Sequence, residues 1–263
     1  MERGAGKRIR KRSPRGQRTS WDHLATWYDG WVGGAGSEHH QKLVIPVVLE
    51  LLAPAPGERV LDIGCGQGAL APAISAAQAS YVGVDASERL LASARRRHKG
   101  EARFIRADAT RLRGNRSLDE GSFDAAVFVL SIQNMDPLGD AVAGAGWAMK
   151  AKGRLVILMN HPCFRIPRQS GWGWDAGRKL TYRRVDRYLT PLKVPLKPLP
   201  NKPPVPTFHR PLEEYFAALA GAGFIVDALK EVAGDEQGPV FEGSRRNRDI
   251  PLFLALRAQY VGL

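Results

Sequence analysis

Cysteine is nearly absent from this chain. Only Cys65 and Cys163 occur, far apart among 263 residues. Two distant thiols make no disulfide framework, and no Cys/His cluster has the spacing of zinc ligands. A reducing, cytosolic setting is therefore expected. Long apolar runs are also lacking, so no transmembrane span is expected. The N-terminus is charged with no apolar stretch behind it, which argues against a secretory signal. Nor is there an internal repeat. What remains is ordinary globular composition, 44% hydrophobic and 25% charged. At this length a single core can bury most of its apolar surface without metal or disulfide.

Charge is unevenly placed. Of the net +13, residues 1–18 contribute +7, from Arg3, Lys7, Arg8, Arg10, Lys11, Arg12, Arg15 and Arg18 against Glu2. Such an arm can touch RNA, DNA or another anionic surface. Basic runs are low-specificity signals, however, so residues 1–19 read as a disordered, solubilising extension. The domain proper is expected over 20–263. It opens with an aromatic helix-and-loop stretch, Ser20–Asp29, followed by apolar residues at helical spacing from Leu43 to Leu52.

Short apolar strands then alternate with helical segments. Strands are expected at Arg59–Ile63, Tyr81–Val84, Ala102–Arg106, Phe123–Leu130 and Arg154–Met159. Helices are expected at Ala69–Ala77, Glu88–His98 and Asp140–Lys150. This alternation predicts parallel βαβ units in a doubly wound α/β sheet. The pattern breaks over 160–210, where eight prolines fall between Pro191 and Pro211 among aromatics and arginines. A long irregular insertion of this kind predicts a cap over the active site. A helix at Leu212–Ala222 and strands at Phe224–Leu229 and Pro251–Arg257 complete the chain.

The strongest local signal is Val60-Leu61-Asp62-Ile63-Gly64-Cys65-Gly66-Gln67-Gly68, an apolar strand entering a glycine-rich turn before a helix. Glycines let the backbone bend tightly and approach a ligand, at the sheet end where doubly wound folds bind ligands. Gly64, Gly66 and Ala69 also satisfy the dinucleotide pattern, with Asp85 where a ribose-binding acid is expected. A nicotinamide oxidoreductase is therefore one reading. Three features favour a different ligand. Asp62 just before the turn suits an amino group and would repel a pyrophosphate. Gly68 extends the turn to G-x-G-x-G, making room for an amino-acid end. Asp108, after the third strand, can accept a hydrogen bond from an adenine amino group.

VLDIGCGQG (60–68), YVGVDAS (81–87), FIRADAT (104–110) and FDAAVFVLSIQNM (123–135) occur in this order. Together they resemble the motifs of class I S-adenosylmethionine-dependent methyltransferases, closest to the small-molecule branch that includes the ubiquinone and menaquinone biosynthesis enzymes. The resemblance spans about residues 40–160. It implies a Rossmann-like seven-stranded sheet whose last strand is antiparallel, and S-adenosylmethionine as the methyl donor. It also implies that Gly64, Gly66 and Gly68 line the methionine and ribose portion, and that Asp62 holds the methionine amino group. By the same resemblance Asp85 binds both ribose hydroxyls, and Asp108, with Ala109 beside it, the adenine. Ser131 and Gln133 face the sulfonium end, and Tyr28, within Ala-x-x-Tyr-Asp, closes over the donor.

The acceptor side is expected after the fifth strand. His161 and His209 are candidate bases, since histidine titrates near neutrality. Arg165 and Arg168 are candidates for an acidic acceptor group, and Cys163 lies between them and His161. His39 and His40 are candidates to enter the same pocket. A small-molecule acceptor is expected. Cys163 and the basic arm raise the alternative of nucleic-acid methylation, because RNA cytosine-5 methyltransferases place a nucleophilic cysteine after that strand. Strand four ends here in Ser131-Ile132-Gln133-Asn134, without their proline-cysteine pair, and no RNA-binding module is recognisable.

Overall fold

Strand β1 (Arg59–Ile63) shows how the sheet is built. Its residues alternate between two apolar layers: Leu61 and Ile63 enter one core cluster, Val60 the other. Strand β4 (Phe123–Val129) repeats this, with Phe123, Ala126 and Phe128 on one face and Ala125 and Val127 on the other. Strands apolar on both faces require cover on both faces, which is the doubly wound arrangement. Full burial of a Phe128-sized side chain stabilises the fold by about 1.5–3 kcal/mol.

A computed structural model describes residues 20–32, 36–100, 102–196, 201, 203–234 and 249–262. The basic extension lies outside them. The remaining sheet strands are β2 (Ser80–Asp85), β3 (Ala102–Arg106), β5 (Met149–Asn160), β10 (Phe224–Val232) and β11 (Phe253–Tyr260). Their order is β10-β11-β5-β4-β1-β2-β3. β3, β2, β1, β4 and β5 run parallel, while β11 pairs antiparallel with both β5 and β10. The fold is thus an α/β Rossmann-like seven-stranded sheet with an antiparallel last strand, as expected.

Among the described residues six α-helices cover it: α1 (Ala25–Val32), α2 (Ile45–Leu52), α3 (Ala71–Ala76), α4 (Glu88–Arg97), α5 (Leu138–Ala148) and α6 (Leu212–Gly221). Helix α4 shows why the ends fall where they do. Ser87 caps it by accepting from the Leu90 amide at 3.3 Å, Glu88 sits in the first turn, and Arg95–Arg97 occupy the last. Both charge placements favour the helix dipole. Helix α2 is preceded by a π-helical turn over His40–Val44, a rarer winding that tends to occur at functional sites.

Three sequence expectations change. Helix α3 starts at Ala71 rather than Ala69, because the glycine turn continues through Leu70. The helix expected over Asp140–Lys150 runs from Leu138 to Ala148, and β5 begins at once at Met149. The described part of the 160–210 segment is not irregular. It forms two antiparallel ribbons, β6 (Ser170–Asp175) with β7 (Leu180–Val185), and β8 (Leu192–Leu196) with β9 (Val205–His209). The second ribbon accommodates Pro195 opposite Pro206 because a two-stranded ribbon has outer edges that need no ladder hydrogen bond.

Candidate functional site

The carboxyl ends of β1, β2 and β4 converge on one cavity of about 740 Å³. The turn after β1 is bent by glycines in the left-handed region, with φ of 78° at Gly64, 56° at Gly66 and 78° at Gly68. A side chain is excluded at Gly64 for a second reason: a Cβ there would lie 2.6 Å from Ser131 Cβ and 2.8 Å from Met135 Cε. Gly64 and Gly66 border the cavity. Gly68 does not. A Cβ on it would meet the Phe104 ring at 2.8 Å, so its bareness serves packing against β3 rather than room for a ligand.

Three carboxylates stand around this turn in different states. Asp62 is buried at 3% exposure, on the face of β1 that also carries Val60. Tyr81 donates its hydroxyl to Asp62 Oδ2 at 2.7 Å. Among the described residues Asp62 Oδ1 has no partner. Burial raises its pKa from 3.8 to about 7; the Tyr81 bond opposes the rise and the charge of Asp85 adds to it. An orphaned carboxylate oxygen in a dry site is expensive unless a cation or donor completes it.

Asp85 ends β2 and braces the turn, accepting from the Gly66 amide at 2.9 Å and the Ser87 amide at 2.8 Å, one on each oxygen. Each oxygen keeps a second lone pair for a hydroxyl donor. Desolvation raises its pKa, and these backbone bonds pull it back. Asp108, after β3, is exposed and binds its own loop through Oδ1, from the Thr110 amide at 3.0 Å and hydroxyl at 2.8 Å. Asp108 and Ala109 both line the cavity.

The remaining wall comes from elements far apart in the chain. Ser131 lines the cavity with its hydroxyl donated to Ile63 O at 2.7 Å, which ties β4 to the end of β1. Gln133 donates to Leu130 O at 2.8 Å, and among the described residues its Oε1 is without a partner. Tyr28 from α1 closes over the turn, its ring 3.6 Å from where a Gly66 Cβ would stand. Burial and the neighbouring Asp85 and Asp62 push the Tyr28 phenol up to about 12. The α1 segment is held there by Asp22, whose carboxylate receives the Ser87 hydroxyl at 2.7 Å. His39 and His40 are also in the wall, with Ser37 Oγ 2.8 Å from His40 Nδ1. His40 has a lowered pKa, from burial and then His39.

Of the acceptor-side candidates named from sequence, His39 and His40 line this cavity and the other five do not. His161 is buried between β5 and β10. Its Nδ1 accepts the Cys163 amide at 3.3 Å, so Nε2 carries the proton and donates to Glu231 Oε1 at 2.9 Å. That tautomer leaves no lone pair for abstracting a proton. His209 is buried at the end of β9 and donates through Nε2 to Tyr188 O at 2.7 Å. Cys163 is a free thiol outside the wall, and Arg168 is exposed and donates to Pro195 O at 3.1 Å. Arg165 is half-buried beside Arg183, its pKa lowered to about 10 by desolvation and that neighbour's charge. Among the described residues the acceptor end instead presents Trp21, Trp27, Asn160, Leu196, Val205 and Thr207. Val205 and Thr207 share the inward face of β9 with His209, and only the first two reach the cavity. Alternation within Val205–His209 was the available sequence signal; the two tryptophans beside Tyr28 were the other.

Residues 60–153 match the model of a methyltransferase domain. The demethylmenaquinone methyltransferase of Clavibacter sepedonicus is 36% identical over 108 residues, 40% of this chain and 42% of that protein. An O-methyltransferase of Pyrenophora dematioidea is 32% identical over 116 residues, 42% of each. The chain thus spans about two fifths of the curated relatives it matches. A solved S-adenosylmethionine-dependent methyltransferase from Mesorhizobium loti superposes with a TM-score of 0.68 at 27% identity, covering 81% of this chain and 96% of that one. Its agreement in fold joins the matched domain to the glycine turn and the three strand-end carboxylates. Residues 60–153 are thus similar to a methyltransferase domain, within a chain whose fold is similar to that of a solved S-adenosylmethionine-dependent methyltransferase.

Proposed function

We propose that residues 20–263 act as one domain that transfers the methyl group of S-adenosylmethionine to an uncharged or weakly polar small molecule. The observation carrying the donor half is Asp62. A buried carboxylate with an orphaned oxygen beside a glycine turn fits the amino group of a methionine end, and repels a pyrophosphate. Gly64 and Gly66 admit the donor against the backbone, Asp85 takes the ribose hydroxyls, and Asp108 with Ala109 takes the adenine. Ser131 and Gln133 border the sulfonium end, and Tyr28 closes the site. Gly68 supports the turn by packing.

When bound, the donor supplies a methyl group already activated on a sulfonium. The chain's own work is then to place the nucleophile in line and take up its proton. His161 has both ring nitrogens committed elsewhere, and His209 lies outside the lining with Nε2 on Tyr188 O. The proton-accepting role falls to the histidines in the wall, foremost His40, which Ser37 holds and whose lowered pKa keeps it neutral. The acceptor class follows from the lining. Among the described residues it contains no lysine or arginine, but does contain Asp85, Asp108 and Asp136. With Asp85 and Asp108 assigned to the donor and Asp136 paired with Arg210 at 2.9 Å, this lining offers no cation to hold an anionic acceptor or a phosphate. The apolar tryptophan and aliphatic wall favours a flat or lipophilic molecule.

Isothermal titration calorimetry with S-adenosylhomocysteine, and with NADH in parallel, tests the donor site. Micromolar binding of the former alone is the expected result; binding of NADH alone would return the turn to a dehydrogenase.

A further inference from the structure

Neither strand of the β6–β7 ribbon has a fully buried residue. Register pairs Gly173 with Tyr182, Trp174 with Thr181 and Asp175 with Leu180, so Trp174 points to one face and Tyr182 and Leu180 to the other. All three are exposed, at 59%, 45% and 43%. Tyr182 lies across Gly173, where a Cβ would come within 2.4 Å of its ring, so the ribbon is thin at this point. Leu189, just beyond β7, is exposed at 71%. A two-stranded ribbon with apolar residues on both faces near its tip cannot bury them on the body of its own protein. Docking on a flat partner would cover one face only.

The charge along this segment is predominantly basic. Between residues 165 and 196 there are eight basic residues and two acidic ones, Asp175 and Asp186. Each acid already faces an arginine, Asp175 with Arg178 at 3.9 Å and Asp186 with Arg184 at 3.0 Å. Lys179 and Arg187 are exposed beside them. The base of the ribbon is anchored, because Arg183 donates to Phe164 O and to Ser170 Oγ and lies over the Trp172 ring. An anchored ribbon with a Trp, Tyr and Leu tip ringed by cations matches the boundary of an anionic bilayer, where aromatics sit at the headgroups and aliphatics enter the acyl region.

We propose that the β6–β7 ribbon inserts its tip into anionic membrane surfaces and docks the protein there. Exposed leucines distinguish this from nucleic-acid binding, which uses aromatic faces and cations but gains nothing from aliphatic side chains. The proposal stands apart from the donor assignment. The next ribbon supplies Leu196 and Val205 to the cavity, so docking would hold the apolar cavity near a membrane-borne acceptor.

The test is co-sedimentation of the full chain with phosphatidylcholine vesicles, with and without phosphatidylglycerol, comparing wild type with the doubly substituted Trp174→Ser/Leu180→Ser protein. The basic N-terminal residues are present in both, so any difference belongs to the ribbon. The expected result is binding to the anionic vesicles only, weakened about tenfold or more in the variant, with unchanged thermal unfolding since both side chains face solvent. Equal binding by the two proteins, or no binding by either, overturns the proposal. So does retention of a labelled single-stranded RNA, or self-association in the ultracentrifuge, that the variant alone loses while vesicle binding persists.

Discussion

Donor affinity should depend on pH through one buried carboxylate. Asp62 must be ionised to hold an ammonium group, and burial has lifted its pKa to about 7. At pH 6 about one molecule in eleven then carries the charge, so the apparent Kd for S-adenosylhomocysteine should be about tenfold weaker than at its plateau above pH 8, and roughly thirtyfold weaker at pH 5.5. Calorimetry across pH 5.5–8.5 measures this directly. The causes of the shift supply two controls. Tyr81→Phe removes the hydrogen bond that lowers the pKa, so the midpoint should move to higher pH. Asp85→Asn removes a charge that raises it, so the midpoint should move down. Asp62→Asn should bind weakly at all pH, and any residual pH dependence in it belongs to Asp85. A Kd that is flat with pH, or a midpoint unmoved in Tyr81→Phe, would refute the reasoning. Stability should follow the opposite sense in the free protein. The folded pKa is raised, so the proton is held more tightly in the folded state, and stability declines as pH rises from the unfolded value near 3.8 to about 7.

Replacing Asp85 with Ala should weaken S-adenosylhomocysteine binding about ten- to hundredfold, because it removes acceptors for the ligand and for the Gly66 and Ser87 amides together; undiminished affinity by calorimetry would remove Asp85 from the site. Gly64→Ala should destabilise the fold by about 1–3 kcal/mol in urea unfolding and abolish donor binding, since its φ is 78° and the new methyl would collide with Ser131. His161→Ala should lower the melting temperature while leaving donor affinity unchanged, whereas His40→Ala should leave the melting temperature closer to wild type and reduce single-turnover methyl transfer once an acceptor is in hand. Phe128→Ala, in the core face of β4, should cost about 3–5 kcal/mol by denaturant titration.

The sheet was legible in the sequence because its strands are apolar on both faces and its turns are punctuated by glycine. Short-range chemistry of this kind survives in linear order. Arg59–Ile63, Ala102–Arg106 and the glycine turn sit where the pattern put them, and so do the strand-end acids Asp85 and Asp108. The second half of the cap reads as irregular because prolines mask the pairing of β8 with β9, although that ribbon has the edges that tolerate them.

Proximity between distant segments was decided only by tertiary structure. His161 and Glu231 lie 70 residues apart and meet because β11 threads between β5 and β10, which turns a candidate base into a buried histidine tied to a surface carboxylate. His40, in contrast, reaches the cavity because the π-helical turn before α2 and the tie between Asp22 and Ser87 bring the N-terminal segment over the ends of β1 and β2. Residue type and local spacing determined which ligand the strand ends can hold. Which side chains face the acceptor depended on how the helices and ribbons outside that periodic core close over it, and local alternation marks an inward face, as in Val205–His209, without saying what that face meets.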